Sequence, residues 1–195
     1  MDKPEFASAV FTVGQLNALV KIVGPENVLG ILQGELKVTI KQPDLLKRVI
    51  TVAVSGAAKF VASEHLKEAN VGWTGDNFKR LFLEKVEEKV GNATIAIHKL
   101  EKASLDVPIM AELGDHAEIQ LAHFFALLQA QSKGETGVLL VNGYANIAYI
   151  RGIDGNFWAV YVLWYPGYGY WFLYAHSVEH PDGWLGGGQV LSRDS

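Results

Sequence analysis

The sequence predicts an α+β fold: an N-terminal helical hairpin and short strands, central helices, and a C-terminal antiparallel β-meander covered by a helix over 116–131. Three observations carry that expectation. Capped segments with apolar residues at helical spacing occupy the first third and the centre. The last third alternates with period two and is rich in β-branched and aromatic residues. Its apolar runs are separated by Asn142-Gly143, Asp154-Gly155 and the run YPGYG, all of them turn chemistry. The expected division is 1–72, carrying the helical hairpin and short strands, and 73–195, carrying the meander, with one continuous domain as the alternative.

Thr12-Val13-Gly14-Gln15 reads as a capping box, with Leu16, Leu19, Val20 and Val23 following at helical spacing. Gly24-Pro25 ends that helix and opens a second, whose apolar side is Val28, Leu29, Ile31 and Leu32 and whose stop is Gly34. The segment PENVLGILQG lacks the Arg, Lys or Ser that a DNA-reading helix needs, so the pair is expected to pack rather than read bases. Leu36–Lys41 and Val49–Val54 read as short strands around Pro43-Asp44. Residues 56–72 are open between helix over Ala57–Glu68 and strand pairing over Val52–Val61. Asp76 caps a predicted helix with Phe78, Leu81, Phe82 and Val86 inward and Gly91 as its stop. On it Glu84, Lys85, Glu87, Glu88 and Lys89 read as a solvated face. Thr94–Leu100 alternates as a strand. Asp115 then caps the helix over 116–131, whose broad apolar face holds Ile119, Leu121, Ala122, Phe124, Phe125 and Leu128. His116 and His123 share a side of it without a carboxylate partner, a pattern of surface or packed residues rather than of a metal site.

Val138–Val141 and Tyr144–Arg151 are expected to pair across Asn142-Gly143, followed by strands Phe157–Trp164 and Tyr170–Ser177 and a last strand over Gln189–Ser192. With five-residue connections throughout, Trp158, Val160, Val162 and Trp164 share a face with Tyr170, Phe172, Tyr174 and His176. The opposite face takes Tyr149, Ala159, Tyr161, Leu163, Trp171 and Leu173. Both faces are apolar, so each is expected to be covered or to bind something, and Trp158, Val160, Val162 and Phe172 are expected to be mostly buried in the functional assembly.

With no cysteine, disulfides, thiol nucleophiles and cysteine-ligated metals are excluded. The opening MDKPEF leads into no long apolar run, so no secretory leader is expected and the cytoplasm is the expected compartment. Phe157–Ala175 runs without a charge for close to a membrane span, but Pro166, Gly167 and Gly169 interrupt it as a turn between strands. Residues 1–110 hold 14 Lys/Arg and 13 Asp/Glu, whereas 111–195 hold 3 and 8. The aromatic-rich part is therefore the acidic part, which argues against nucleic acid, whose phosphates supply most of the affinity.

One string carries metal chemistry on paper. His176-Ser177-Val178-Glu179-His180 spells H-x-x-E-H, the zinc motif of inverted metalloproteases. That chemistry needs a helix, so that both imidazoles meet one zinc ion and the glutamate activates its water. Here an aromatic strand precedes the motif, Pro181 follows it, and no third ligand of the right type lies downstream. On an extended strand the two rings would stand well over about 10 Å apart.

The ending NGYANIAYIRGIDGNFWAVYVLWYPGYGYWFLYAHSVEHPDGWLGGGQVLSRDS resembles that of hypothetical proteins from candidate-phylum bacteria, which share an NGYANI-type hairpin, a Trp-rich meander and a closing W-x-x-G…SR. The stretches GDNFKRLFL and SLDVPIMAELG, and the opening FTVGQLNALVKIVG…ILQGEL, are similar to the same group. The resemblance touches most of residues 11–195 and implies no activity, cofactor or catalytic residue.

With no G-x-S-x-G, phosphate loop or dinucleotide fingerprint, the expected function is a non-catalytic binding or interaction protein. Its candidate binding residues are Trp158, Trp164, Tyr170, Phe172 and Tyr174. The alternatives are a hydrolase-type acid–base site of His176, Glu179 and His180, or a self-assembling structural subunit. The expected partner is a protein or a second copy of the chain, with no nucleic acid, membrane, metal or cofactor.

Overall fold

The computed structural model describes residues 17, 20, 21, 24–32 and 44–194, and the chain divides into two compact units, Met1–Pro43 and Asp44–Ser195. In the first unit, helix α1 (Pro25–Leu32) opens on its proline as expected. Of the predicted helix after Thr12, only Asn17, Val20 and Lys21 are described, all helical. The predicted strand Leu36–Lys41 lies outside the described residues. Residues 44–72, grouped by the sequence with the N-terminal part, belong to the second unit.

That unit is a mixed sheet, and the expected layout of helical hairpin plus meander is corrected accordingly. Its strands are β1 (Leu46–Val54), β3 (Val71–Thr74), β5 (Ala93–Leu100), β6 (Asn146–Arg151), β7 (Phe157–Tyr165), β8 (Tyr170–Ser177) and β9 (Gln189–Arg193). They form one seven-stranded sheet in the order β1-β5-β9-β6-β7-β8-β3. β2 (Ala57–Val61) and β4 (Val86–Val90) pair as a small second sheet. The meander β6-β7-β8 is present, but β9 pairs parallel to β6 and antiparallel to β5, and β3 adds parallel to β8. These joins link residues far apart in sequence, and local periodicity is blind to them.

The outer strands are poor templates for further pairing. Arg48 pairs with His98 and Ile50 with Ile97, so Val49 is an extra residue that bulges β1 next to Lys47 and Arg48. β3 is four residues long with its own irregularity.

Helix α5 (Leu121–Ala130) covers one sheet face, burying Phe124, Phe125 and Leu128 against Ile95, Ile150, Val160, Val162, Trp171 and Leu173. It is shorter than expected because Asp115 lies in a 3₁₀ turn (Gly114–His116) and Glu118 bridges to β6. Its N-terminus is satisfied from outside. Buried Glu87 on β4 accepts the Leu121 and Ala122 amides at 3.0 and 2.9 Å and pairs with Lys85 Nζ at 2.8 Å. The charge run read as a solvated helical face is thus a turn and strand with one residue turned inward, because the preceding helix α3 (Asp76–Leu81) stops early. Between it and β2 sits the one-turn helix α2 (Ala62–His65), which resolves part of the ambiguous 56–72.

Val138–Val141 is not a strand. Its backbone is satisfied by two buried amides: Gln131 pairs with Leu139 N and O, and Asn146 with Leu140 N and O, at 2.7–3.0 Å. A side-chain amide offers the same donor and acceptor as a neighbouring strand, so the Asn142-Gly143 turn joins no ladder.

Helix α4 (Asp106–Leu113), which periodicity missed, covers part of the other face, packing Ile109 and Leu113 on Ile147, Tyr149 and Val190. Its Glu112 accepts the Leu45 and Leu46 amides at 2.7 and 2.9 Å, tying down the start of β1. His98, also on this face, meets Ser192 Oγ at 2.9 Å. Burial, then the charge of Arg48, lowers its pKa below the ordinary 6.5, against the opposing pull of Glu112 and Asp194. A lowered histidine pKa means the unfolded chain takes up the proton first. The stability held near neutral pH therefore drains as pH falls through about 6.5. Urea midpoints at pH 7.5 and pH 5.5 are expected to differ less in His98→Gln than in the wild type; an equal difference refutes the assignment.

Candidate functional site: an aromatic face ending at a buried carboxylate

The site is set by the register of β7 against β8. Tyr165 pairs with Tyr170 and Trp164 with Trp171, so the turn is the four residues 166–169 rather than five. Both Tyr168 and Gly169 donate to Tyr165 O, at 3.0 and 2.9 Å, and Gly169 takes a φ of 72°. One residue fewer in the turn flips every β8 side chain. Trp171, Leu173 and Ala175 therefore enter the core beneath α5. Tyr170, Phe172, Tyr174 and His176 stand on the other face, beside Tyr161 and Tyr165, reversing the assignment read from the sequence.

These rings stack on one another. Tyr161 and Tyr174 lie 4.9 Å apart and 10° from parallel, Tyr170 and Phe172 5.3 Å and 20°. Tyr165 leans on Phe172 at 4.3 Å, and Trp73 on β3 meets Phe172 and Tyr174 at 5.7 and 4.8 Å. Tyr168 caps the row and is 65% exposed, while Trp73 and Tyr165 are 41% and 38% exposed. No other element of this unit covers this part of the face. Burial, then Tyr165 and Tyr161, pushes the Tyr174 hydroxyl up to about 12, and burial also raises Tyr161. At ordinary pH these hydroxyls keep their protons and remain donors.

At the far end the row meets a buried polar cluster. Asp106, the first residue of α4, has no exposed surface. Its Oδ1 accepts from Tyr149 Oη at 2.8 Å and from Trp184 Nε1 at 2.7 Å. Its Oδ2 lies 3.3 Å from His176 Nε2, off the line of a hydrogen bond, and both atoms are buried without a hydrogen-bond partner among the described residues. Burial and the Asp106 charge push the Tyr149 hydroxyl far up, fixing it as a donor. Trp184 is held by Ser104 through two backbone bonds of 2.7 and 3.1 Å. The His176 ring touches Trp184 at 4.8 Å and stacks on His180 at 5.1 Å, 10° from parallel. The two histidines are therefore close, against the strand-based expectation, because a turn with His180 N–H on Ser177 O folds the chain back. Parallel imidazole planes do not converge on one ion, and among the described residues no group of three or more His, Asp or Glu is arranged for a metal.

The remaining candidates separate. Trp158 and Trp164 sit on the opposite face from Tyr170, Phe172 and Tyr174, as partners of Ser177 and Trp171. Trp164 is 7% exposed against Trp171, and Trp158 is half-buried and donates to Asp154 at 3.2 Å. Val160 and Val162 are fully buried, and Phe172 is only half-buried. Glu179 lines a cleft of about 320 Å³ with Asn156, Phe157, Trp158, Ser177 and Val178, a lining that includes none of Asp106, Tyr149, His176 and Trp184. No family model, curated protein or solved structure matches the chain.

Sequence reasoning missed Asp106 and Trp184. Asp106 with Pro108 in SLDVP is a helix-start signal, but nothing local marks its carboxylate as buried.

Among the described residues no helix is long and apolar enough to cross a membrane.

Proposed function

We propose that the chain is a non-catalytic binding protein that engages a protein partner through the aromatic row Trp73, Tyr161, Tyr165, Tyr168, Tyr170, Phe172 and Tyr174. The observation that carries this is the row itself, uncovered by any other element of its own unit on a face whose other half is packed under α4. Rings already stacked on each other lose little rotamer freedom on binding, and tyrosine and tryptophan dominate interface energetics. Several of their faces are used by one another and the Tyr174 hydroxyl is bonded to Tyr165, so the row is offered outward chiefly through the exposed Trp73, Tyr165 and Tyr168. That geometry suits peptide carbonyls better than the flat stacking of sugars or nucleobases, and the net −5 of residues 111–195 also disfavours nucleic acid.

A photo-crosslinking amino acid at Tyr168 is expected to trap a defined partner protein in the source cell. The same group at Tyr144, 41% exposed but outside the row, is expected to trap none. Equal or absent crosslinking at both positions defeats the proposal, and a crosslink only to another copy replaces it with self-assembly.

A second reading, an acid–base enzyme centred on His176, is favoured by one observation, the buried Asp106 behind the ring. Against it, Glu179 opens into a separate cleft and His180 stacks on the imidazole instead of facing a substrate.

A further inference from the structure

A second binding site, independent of the aromatic face, lies where the β4–β5 turn, the start of α5 and the end of β9 meet. The cleft is about 360 Å³, and its lining includes Lys89, Asn92, Gln120, His123, Arg193 and Glu88. Lys89 holds a left-handed backbone, φ 52°, a conformation rare for a lysine, and makes no ion pair among the described residues. Arg193 is anchored by one Nη2 bond to Asp115 O at 2.6 Å, which leaves most of its guanidinium donors for something else. Glu88 is the acidic side chain in the lining, and its register partner across β2 and β4 is Lys59.

His123 supplies the second observation. It is 5% exposed, and its Nε2 lies 2.8 Å from Gly91 O. A carbonyl only accepts, so Nε2 carries the proton, and Nδ1 is left buried with no partner. The first amides of α5 are already taken by Glu87, so positive charge in the cleft comes from side chains.

We propose that this cleft binds a small phosphate monoester carrying hydroxyl groups. Arg193 and Lys89 hold the phosphate, the arginine by its planar fork and the lysine as a point charge. Gln120 and the Asn92 Nδ2 amide take the hydroxyls, Asn92 Oδ1 already accepting from Gly56 N–H at 3.0 Å, and His123 lines the cleft beside them. The cleft is several times larger than a phosphate group, which leaves room for the ester carbon chain. The partly polar lining suits a polyol better than an apolar tail.

The test is calorimetric titration of the full chain, at low ionic strength, with glycerol 3-phosphate, inorganic phosphate and glycerol. Glycerol 3-phosphate is expected to bind at least about tenfold more tightly than inorganic phosphate, with glycerol undetectable. Lys89→Asn removes the charge while tolerating the left-handed backbone, and is expected to weaken the ester at least about tenfold. Arg193→Gln is expected to do the same. Gln120→Ala is expected to erase the preference for the ester over inorganic phosphate while leaving phosphate binding in place. No binding by the wild type overturns the proposal, as does binding unchanged in Lys89→Asn. A site that takes inorganic phosphate as well as the ester overturns its hydroxyl half.

Discussion

Asp106→Ala is expected to lower the unfolding free energy by about 3–5 kcal/mol, the range for stripping a buried polar network of its central acceptor. The substitution leaves the Tyr149 hydroxyl and the Trp184 indole N–H buried without an acceptor and His176 without its carboxylate. It also releases the indole of Trp184, whose backbone stays pinned to Ser104 and holds the 178–188 loop there. Asp106→Asn keeps an oxygen for both donors and presents an amide to His176, so its loss is expected to be less than half as large. Urea denaturation of the two variants separates the effects. A loss under about 1 kcal/mol for the alanine variant would show that the cluster contributes little to the fold.

The second large effect is expected at Glu87→Ala, about 2–3 kcal/mol, because it uncaps α5 from outside and strands Lys85. Glu87→Gln retains one carbonyl acceptor and is expected to fall between. A readout specific to capping is amide exchange: Leu121 and Ala122 should exchange faster in the alanine variant relative to Phe125 and Leu128 in the same helix. If all four accelerate together, Glu87 acts on global stability and not on the helix end.

Legibility followed the range of the interaction. Phe157–Tyr165 and Tyr170–Ser177 were readable because their alternation and the Asp154-Gly155 turn are local. The apolar face around Phe124, Phe125 and Leu128 was readable for the same reason. The face of β8 was not, because YPGYG fits a four- or a five-residue connection equally well and parity turns on that one residue. Glu87 was read as solvated because composition cannot show that a charge run leaves its helix and turns one carboxylate onto another helix's first amides. Val138–Val141 misled for a different reason: Gln131 and Asn146, only eight and six residues away, do with side-chain amides the work of a paired strand, which period-two alternation does not distinguish. Of the aromatic row, Tyr170, Phe172 and Tyr174 were named from the sequence, whereas Trp73 joins it only through the parallel pairing of β3 with β8. The Asp106 cluster gathers one residue each from α4, β6, β8 and the loop before β9, and no window of sequence spans them.

The position of β9 has a consequence for synthesis. β9 lies between β5 and β6, yet β5 ends at Leu100, β6 at Arg151, and β9 begins only at Gln189. On a ribosome moving at roughly 5–20 residues per second, some 2–8 s pass between the completion of β6 and the arrival of the strand that joins it to β5. During that interval β5 and β6 each show a bare edge of apolar strand, the kind of surface that recruits other nascent chains. The nascent protein is therefore expected to lean on chaperones until β9 emerges, and removing them from a cell-free system is expected to raise its aggregation.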